Sequence, residues 1–120
     1  MKFALLPAMA FLTMMTCSNL AMAYGAIAVD DAEGDRAIDA GYGYGTGDTE
    51  AEAKTDALRA CKKVGNDDCQ VVVTYKLCGA YASSKKYQGV GKGETEASAK
   101  KAALEECGDD CRVVASECDN

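Results

Sequence analysis

The sequence predicts an α+β domain made of two pseudo-symmetric β-β-α-β units, six strands and two helices, stapled by disulfides. Three observations carry this expectation. First, the stretch TEAEAKTDALRAC beginning at Thr49 returns as TEASAKKAALEEC beginning at Thr95, with 8 of 13 positions identical, which marks a duplicated supersecondary unit. Second, short runs of alternating bulky and small residues flank each copy at the period of a strand. Third, six cysteines follow an N-terminal apolar segment, the pattern of a disulfide framework in an exported chain.

The chain begins with Lys2, an apolar stretch from Phe3 to Met15, a polar break at Thr16 to Asn19, and Ala21-Met22-Ala23. These are the three parts of a secretory signal, with cleavage expected after Ala23 and a periplasmic or secreted destination. The apolar stretch falls short of the roughly 20 residues that cross a bilayer, so no membrane span is expected. Residues 24–120 then form one domain of two repeats, 24–78 and 79–120. That domain contains no Phe, Met, Pro, Trp or His, and its apolar volume is thin for its length.

Each repeat opens with a strand, expected at 25–29 and 79–83, where GAIAV and GAYAS alternate large and small side chains. A turn and a second strand follow, at 36–44 and 87–92, completing a β-hairpin. Glycines close the second strands at alternate positions, Gly43, Gly45 and Gly47 against Gly89, Gly91 and Gly93, so each set lies on one sheet face. The helices carry Ala53, Ala57 and Cys61, or Ala99, Ala103 and Cys107, at steps of four. That spacing makes a small-sided stripe, and a smooth helix face suits a smooth strand face. Thr49 with Glu52 reads as a capping box, whereas Thr95 has Ser98 in the glutamate position. Glu50 with Lys54 and Glu96 with Lys100 are i,i+4 pairs on solvated faces. Glycine-aspartate turns then lead into valine strands at 70–76 and 112–116. A single six-stranded antiparallel or mixed sheet with two packed helices is the expected arrangement.

Cys61, Cys69 and Cys78 correspond in chain order to Cys107, Cys111 and Cys118. Equivalent pairing joins Cys61 to Cys69 and Cys107 to Cys111, which leaves Cys78 to meet Cys118 across the two copies. A structural zinc site is disfavoured, because there is no histidine and no Cys-x-x-Cys in a chain bound for an oxidising compartment.

With these elements in place, the chain resembles a known family. A Gly-Ala-x-Ala strand, a glycine and aromatic second strand, a helix of the Thr-x-Ala-x-Ala-x-x-x-Ala-Leu-x-x-Cys type and a Cys-x-Val-Val strand look like the secreted bacterial domain of unknown function 4189. Tyr42, Tyr44 and Val90 stand where that family often carries tryptophan. The resemblance covers Tyr24 to Cys118 and implies export, small size and cysteine bridges. It brings no reaction and no functional residues.

Composition narrows function further. Without Lys2, 12 basic residues face 19 acidic ones, a balance that repels nucleic-acid backbones and weakly favours a cationic partner. A domain lacking histidine cannot run Ser-His, Cys-His or His-metal mechanisms. Ser83-Ser84-Lys85-Lys86 occupies a hairpin turn, where a solvated lysine makes a poor base. The turn Asp30-Asp31-Ala32-Glu33-Gly34-Asp35 is rich in oxygen ligands but lacks the distal glutamate of an EF-hand, position 12 being Gly41. No cofactor and no metal are expected.

Tyr42 and Tyr44 share the strand face opposite its glycines, and tyrosine suits interfaces. The candidate partner-binding residues are therefore Tyr42, Tyr44, Asp31, Glu33 and Asp35. The function expected is a monomeric, non-enzymatic protein-binding module, of the inhibitor or immunity type in the envelope. The alternatives are a small carboxylate-based hydrolase acting on envelope glycans or peptides, and a secreted effector.

Overall fold

The computed structural model describes residues 23–30 and 41–119. The expected signal segment and the acidic turn residues Asp31, Glu33 and Asp35 lie outside them. The elements are β1 (Tyr24–Asp30), β2 (Gly41–Gly47), α1 (Glu50–Lys63), β3 (Gln70–Tyr75), β4 (Cys78–Ser83), β5 (Gln88–Gly93), α2 (Glu96–Cys107) and β6 (Arg112–Cys118). The order β-β-α-β occurs twice, as the sequence repeat requires.

The strands do not form one sheet. They make two antiparallel three-stranded sheets, ordered β2-β1-β3 and β5-β4-β6. The reason lies on the first strand of each unit. Ala26 and Ala28 pack with Ala53, Ala57 and Cys61 of α1, while Ile27 and Val29 point the other way. A single sheet with both helices on one side would leave that second apolar face in water. Instead, Ile27, Val29, Val73 and Tyr75 meet Tyr81 and Ala115 of the other sheet in one core. The result is a four-layer α-β-β-α sandwich with a pseudo-twofold relation between its halves.

Close approach holds each helix to its sheet. A Cβ on Gly43 would collide with the backbone of Cys61, and one on Gly45 with the backbone of Ala53 and Ala57. Gly89 stands in the same relation to Ala103 and Cys107, and Gly91 to Ala99 and Ala103. Small residues on both surfaces bring the backbones together and leave no space for water between them.

The caps differ from the sequence reading. The Glu52 N–H donates to Thr49 Oγ1 at 3.2 Å, but the Glu52 carboxylate accepts from the Asp48 N–H at 3.0 Å rather than closing a box on Thr49. In α2 the box is complete: the Ser98 N–H donates to Thr95 Oγ1 and the Thr95 N–H donates to Ser98 Oγ, both at 3.1 Å. The serine hydroxyl is near enough to do what the longer glutamate was expected to do. Beyond the helices, Gly65 and Gly108 take φ of +97° and +95°, a left-handed exit that glycine permits without Cβ strain.

Cys61–Cys69, Cys107–Cys111 and Cys78–Cys118 form the three disulfides, the pairing expected. Their placement needs one correction. Cys78 opens β4 and lies opposite Cys118 on β6, so this bond joins two strands of the second sheet and does not cross between copies. Positional equivalence, and not chain order, identifies its counterpart: in the first sheet the matching places hold Tyr24 and Lys76, with Lys76 Nζ 5.7 Å above the Tyr24 ring. One sheet is closed by sulfur where the other is closed by a cation over an aromatic face.

Two outcomes are expected in urea unfolding. Gly45→Ala and Gly91→Ala should each cost about 3 kcal/mol or more, because the added methyl meets backbone that cannot withdraw. Replacing Cys78 and Cys118 together by serine should cost about 4 kcal/mol, against about 2 kcal/mol for the Cys107 and Cys111 pair, since the first bond closes the longer loop.

Candidate functional site

The two open sides of the sandwich are built from equivalent strands but carry different chemistry. On one side β2 lies over β6. The register Ile27↔Tyr44 and Val29↔Tyr42 turns both tyrosines toward the second sheet, away from α1. They do not share one environment. Tyr44 is half-buried against the inter-sheet core, and its hydroxyl accepts the Ser116 N–H at 3.1 Å. Tyr42 is 42% exposed, with its ring centroid 5.4 Å from that of Tyr44 and tilted by 54°. Of the two tyrosines named as partner-binding, the face therefore presents one at the surface, held by the other.

Acidic groups gather around this pair. Glu96 accepts from the Ser116 hydroxyl at 2.7 Å and pairs with Lys100 at 3.2 Å, and these contacts, the Ser116 bond first, hold its carboxyl below the ordinary glutamate range. Glu117 moves the opposite way: partial burial, then the charges of Glu96 and Asp119, push its carboxyl up. Tyr75, only 3% exposed, lies with its ring where a Cβ on Gly25 or Gly79 would have to be. Its hydroxyl makes no hydrogen bond among the described residues. Burial, then the charges of Glu117, Asp119 and Tyr44, raise the Tyr75 phenol above its ordinary value. Burial is also the main cause of the upward shift of Tyr44, opposed by the Ser116 hydrogen bond.

The opposite side, where β3 lies over β5, holds an open groove of about 460 Å³. Tyr24, Thr74, Tyr75, Leu77, Lys92 and Glu94 are among its lining residues, and Leu77 is 44% exposed. Glu50 also borders the groove, but its carboxylate accepts from the Thr74 hydroxyl at 2.8 Å and lies 3.9 Å from Lys54. That leaves Glu94 without a second free acid beside it.

Other candidate chemistry resolves into structure. The Ser84 hydroxyl accepts the N–H groups of Lys86 and Tyr87 at 3.2 and 3.0 Å, which makes it part of the hairpin turn. All six cysteines of residues 24–120 are in disulfides. Among the described residues no group of His, Cys, Asp and Glu could hold a metal ion, and no helix is long and apolar enough to cross a membrane.

Sequence reading alone missed Glu117, Tyr75 and the groove, which no motif marks. The signal was present in the comparison of copies. Tyr44 is matched by Val90 and Tyr75 by Glu117, and such mismatches inside a repeat mark where the halves have diverged.

The fold and these sides define a small, duplicated, disulfide-stapled α+β scaffold, whose bridges are consistent with an oxidising, extracellular setting. The family model described as Domain of unknown function (DUF4189) matches residues 24–118, and the chain belongs to that family. No curated protein and no solved structure matches it.

The shift of Glu117 has a definite sign. A carboxyl raised in the folded state holds its proton more tightly there than in the unfolded chain, so its contribution favours folding at low pH and is lost as pH rises through the carboxylate range. Glu117→Gln removes that loss. Its melting temperature should exceed that of the wild type at about pH 7, and the two should converge near about pH 3, where both side chains are neutral.

Proposed function

We propose that this protein is an exported, non-enzymatic binding module that engages a cationic protein partner through the β2–β6 side. The observation that carries this reading is the fixed tyrosine pair. Tyr44 is anchored by the Ser116 N–H and holds the ring of Tyr42 at the surface, while the charges of Glu117 and Glu96 act on the Tyr44 phenol. An exposed ring already held in place loses little entropy on binding, its face favours a lysine or arginine side chain, and Glu117 near its anchor adds negative charge. Asp31, Glu33 and Asp35, which lie between β1 and β2 in the chain and outside the described residues, belong to the same proposal as further acidic groups.

The stapled frame supports an inhibitor or immunity role in the envelope, where a partner surface must be masked without chemistry. A carboxylate-based hydrolase is less well supported, because Glu50 is already occupied at the groove. An effector acting outside the producing cell would use the same surface.

Capture from envelope extract, with the bound protein then titrated against purified variants, tests the reading. Tyr42→Ala should weaken binding by about 30-fold, the scale of an interface hot spot. Equal affinity for wild type and Tyr42→Ala would remove the tyrosine pair from the interface.

A further inference from the structure

The pseudo-twofold relation makes the two sides of the sandwich comparable, and among the described residues only one has side-chain acceptors on its outward strand N–H groups. On β2 the Thr46 N–H, which points away from β1, donates to Asp56 Oδ2 of α1 at 3.0 Å. On β6 the outward Ser116 N–H donates to the Tyr44 hydroxyl. Each edge of that side thus has one outward N–H taken by a side chain, which weakens its pairing with another chain. On the other side the equivalent positions are Lys92 on β5 and Thr74 on β3, and the residues in place of Asp56 and Tyr44 are Ala102 and Val90. Neither alanine nor valine can accept a hydrogen bond.

The hairpin bond from the Ser84 N–H to the Tyr87 carbonyl at 2.9 Å sets the alternation along β5, so Val90 and Lys92 turn their backbone groups outward, as Tyr44 and Thr46 do on β2. This edge borders the 460 Å³ groove, with Thr74, Lys92 and Leu77 in its lining. Charge differs too: Lys85, Lys86 and Lys92 accompany β5, against Glu94 at its end and a Glu50 already paired with Lys54.

We propose that the β5 edge takes up an extended, carboxylate-bearing segment of a partner polypeptide by strand addition. Backbone groups of Val90 and Lys92 pair with the incoming strand, the lysines meet its carboxylates, and its apolar side chains enter the groove over Leu77 and Tyr75. A second copy of this chain is the poorer occupant, because two chains that each carry net charge -6 repel one another. This surface is separate from the tyrosine-bearing side and does not rest on the function proposed there.

The test uses the full chain with its disulfides formed and a blocked, fluorescein-labelled octapeptide of alternating valine and glutamate, followed by anisotropy. A second octapeptide carries lysine in place of glutamate. The glutamate peptide should bind at least tenfold more tightly than the lysine peptide and slow amide exchange at Val90 and Lys92. Ala102→Asp, which installs the carboxylate that closes β2, should weaken binding at least tenfold. Lys92→Glu should reverse the preference between the two peptides, and circular dichroism checks that each variant folds. Equal binding of both peptides, unchanged affinity in Ala102→Asp, no binding of either peptide, or concentration-dependent dimerisation abolished by Ala102→Asp would each overturn the proposal.

Discussion

The contact between a glycine-lined strand and an alanine-lined helix constrains everything else in this molecule. It sets how near α1 lies to β2 and α2 to β5, with no side chain between the two backbones at Gly45 or Gly91. Such a contact excludes water well but buries few carbons per residue, so it stabilises less than a leucine interface of equal length. The small stripe also ends in a cysteine on each helix, Cys61 and Cys107, and the bridges to Cys69 and Cys111 tie the helix ends to the strands that follow. A thin apolar core and a disulfide frame are therefore two consequences of the same choice of small residues.

The larger side chains had to be used elsewhere. With no Phe, Trp or Met among residues 24–120, the space between the sheets is filled by valine, isoleucine and tyrosine, and Tyr75 crosses the pseudo-axis over Gly25 and Gly79. Its counterpart is Glu117, since two tyrosines could not occupy one axis. This is where symmetry breaks and where ionisation is most perturbed. The displaced carboxylate lies beside Asp119 and Glu96, and burial with mutual repulsion raises its affinity for a proton.

The same divergence distinguishes the outer edges. An aspartate and a tyrosine each take an outward strand N–H on one side, while alanine and valine stand at the equivalent places on the other. The difference lies in a few positions, Asp56 against Ala102 and Tyr44 against Val90, on a frame that the two halves share. The binding readings for the two sides follow from different side chains on a common architecture.

Much of this was legible in the chain. The duplication, the glycine and alanine stripes and the two short-range disulfides follow from local spacing, because helix and strand periods act within a few residues of sequence, whereas Cys78–Cys118 follows only as the remaining pair. The helix caps were half legible: hydroxyls at Thr49 and Thr95 were evident, but which partner closed the box depended on whether Glu52 or Ser98 reached back. Only the tertiary structure decided that six strands divide into two sheets, that Cys78 belongs with β4, and that Tyr44 is spent on Ser116 while Tyr42 stays exposed. Those outcomes depend on which apolar face finds cover and which backbone N–H finds an acceptor. Burial and hydrogen-bond completion are satisfied between distant segments, so no local pattern encodes them.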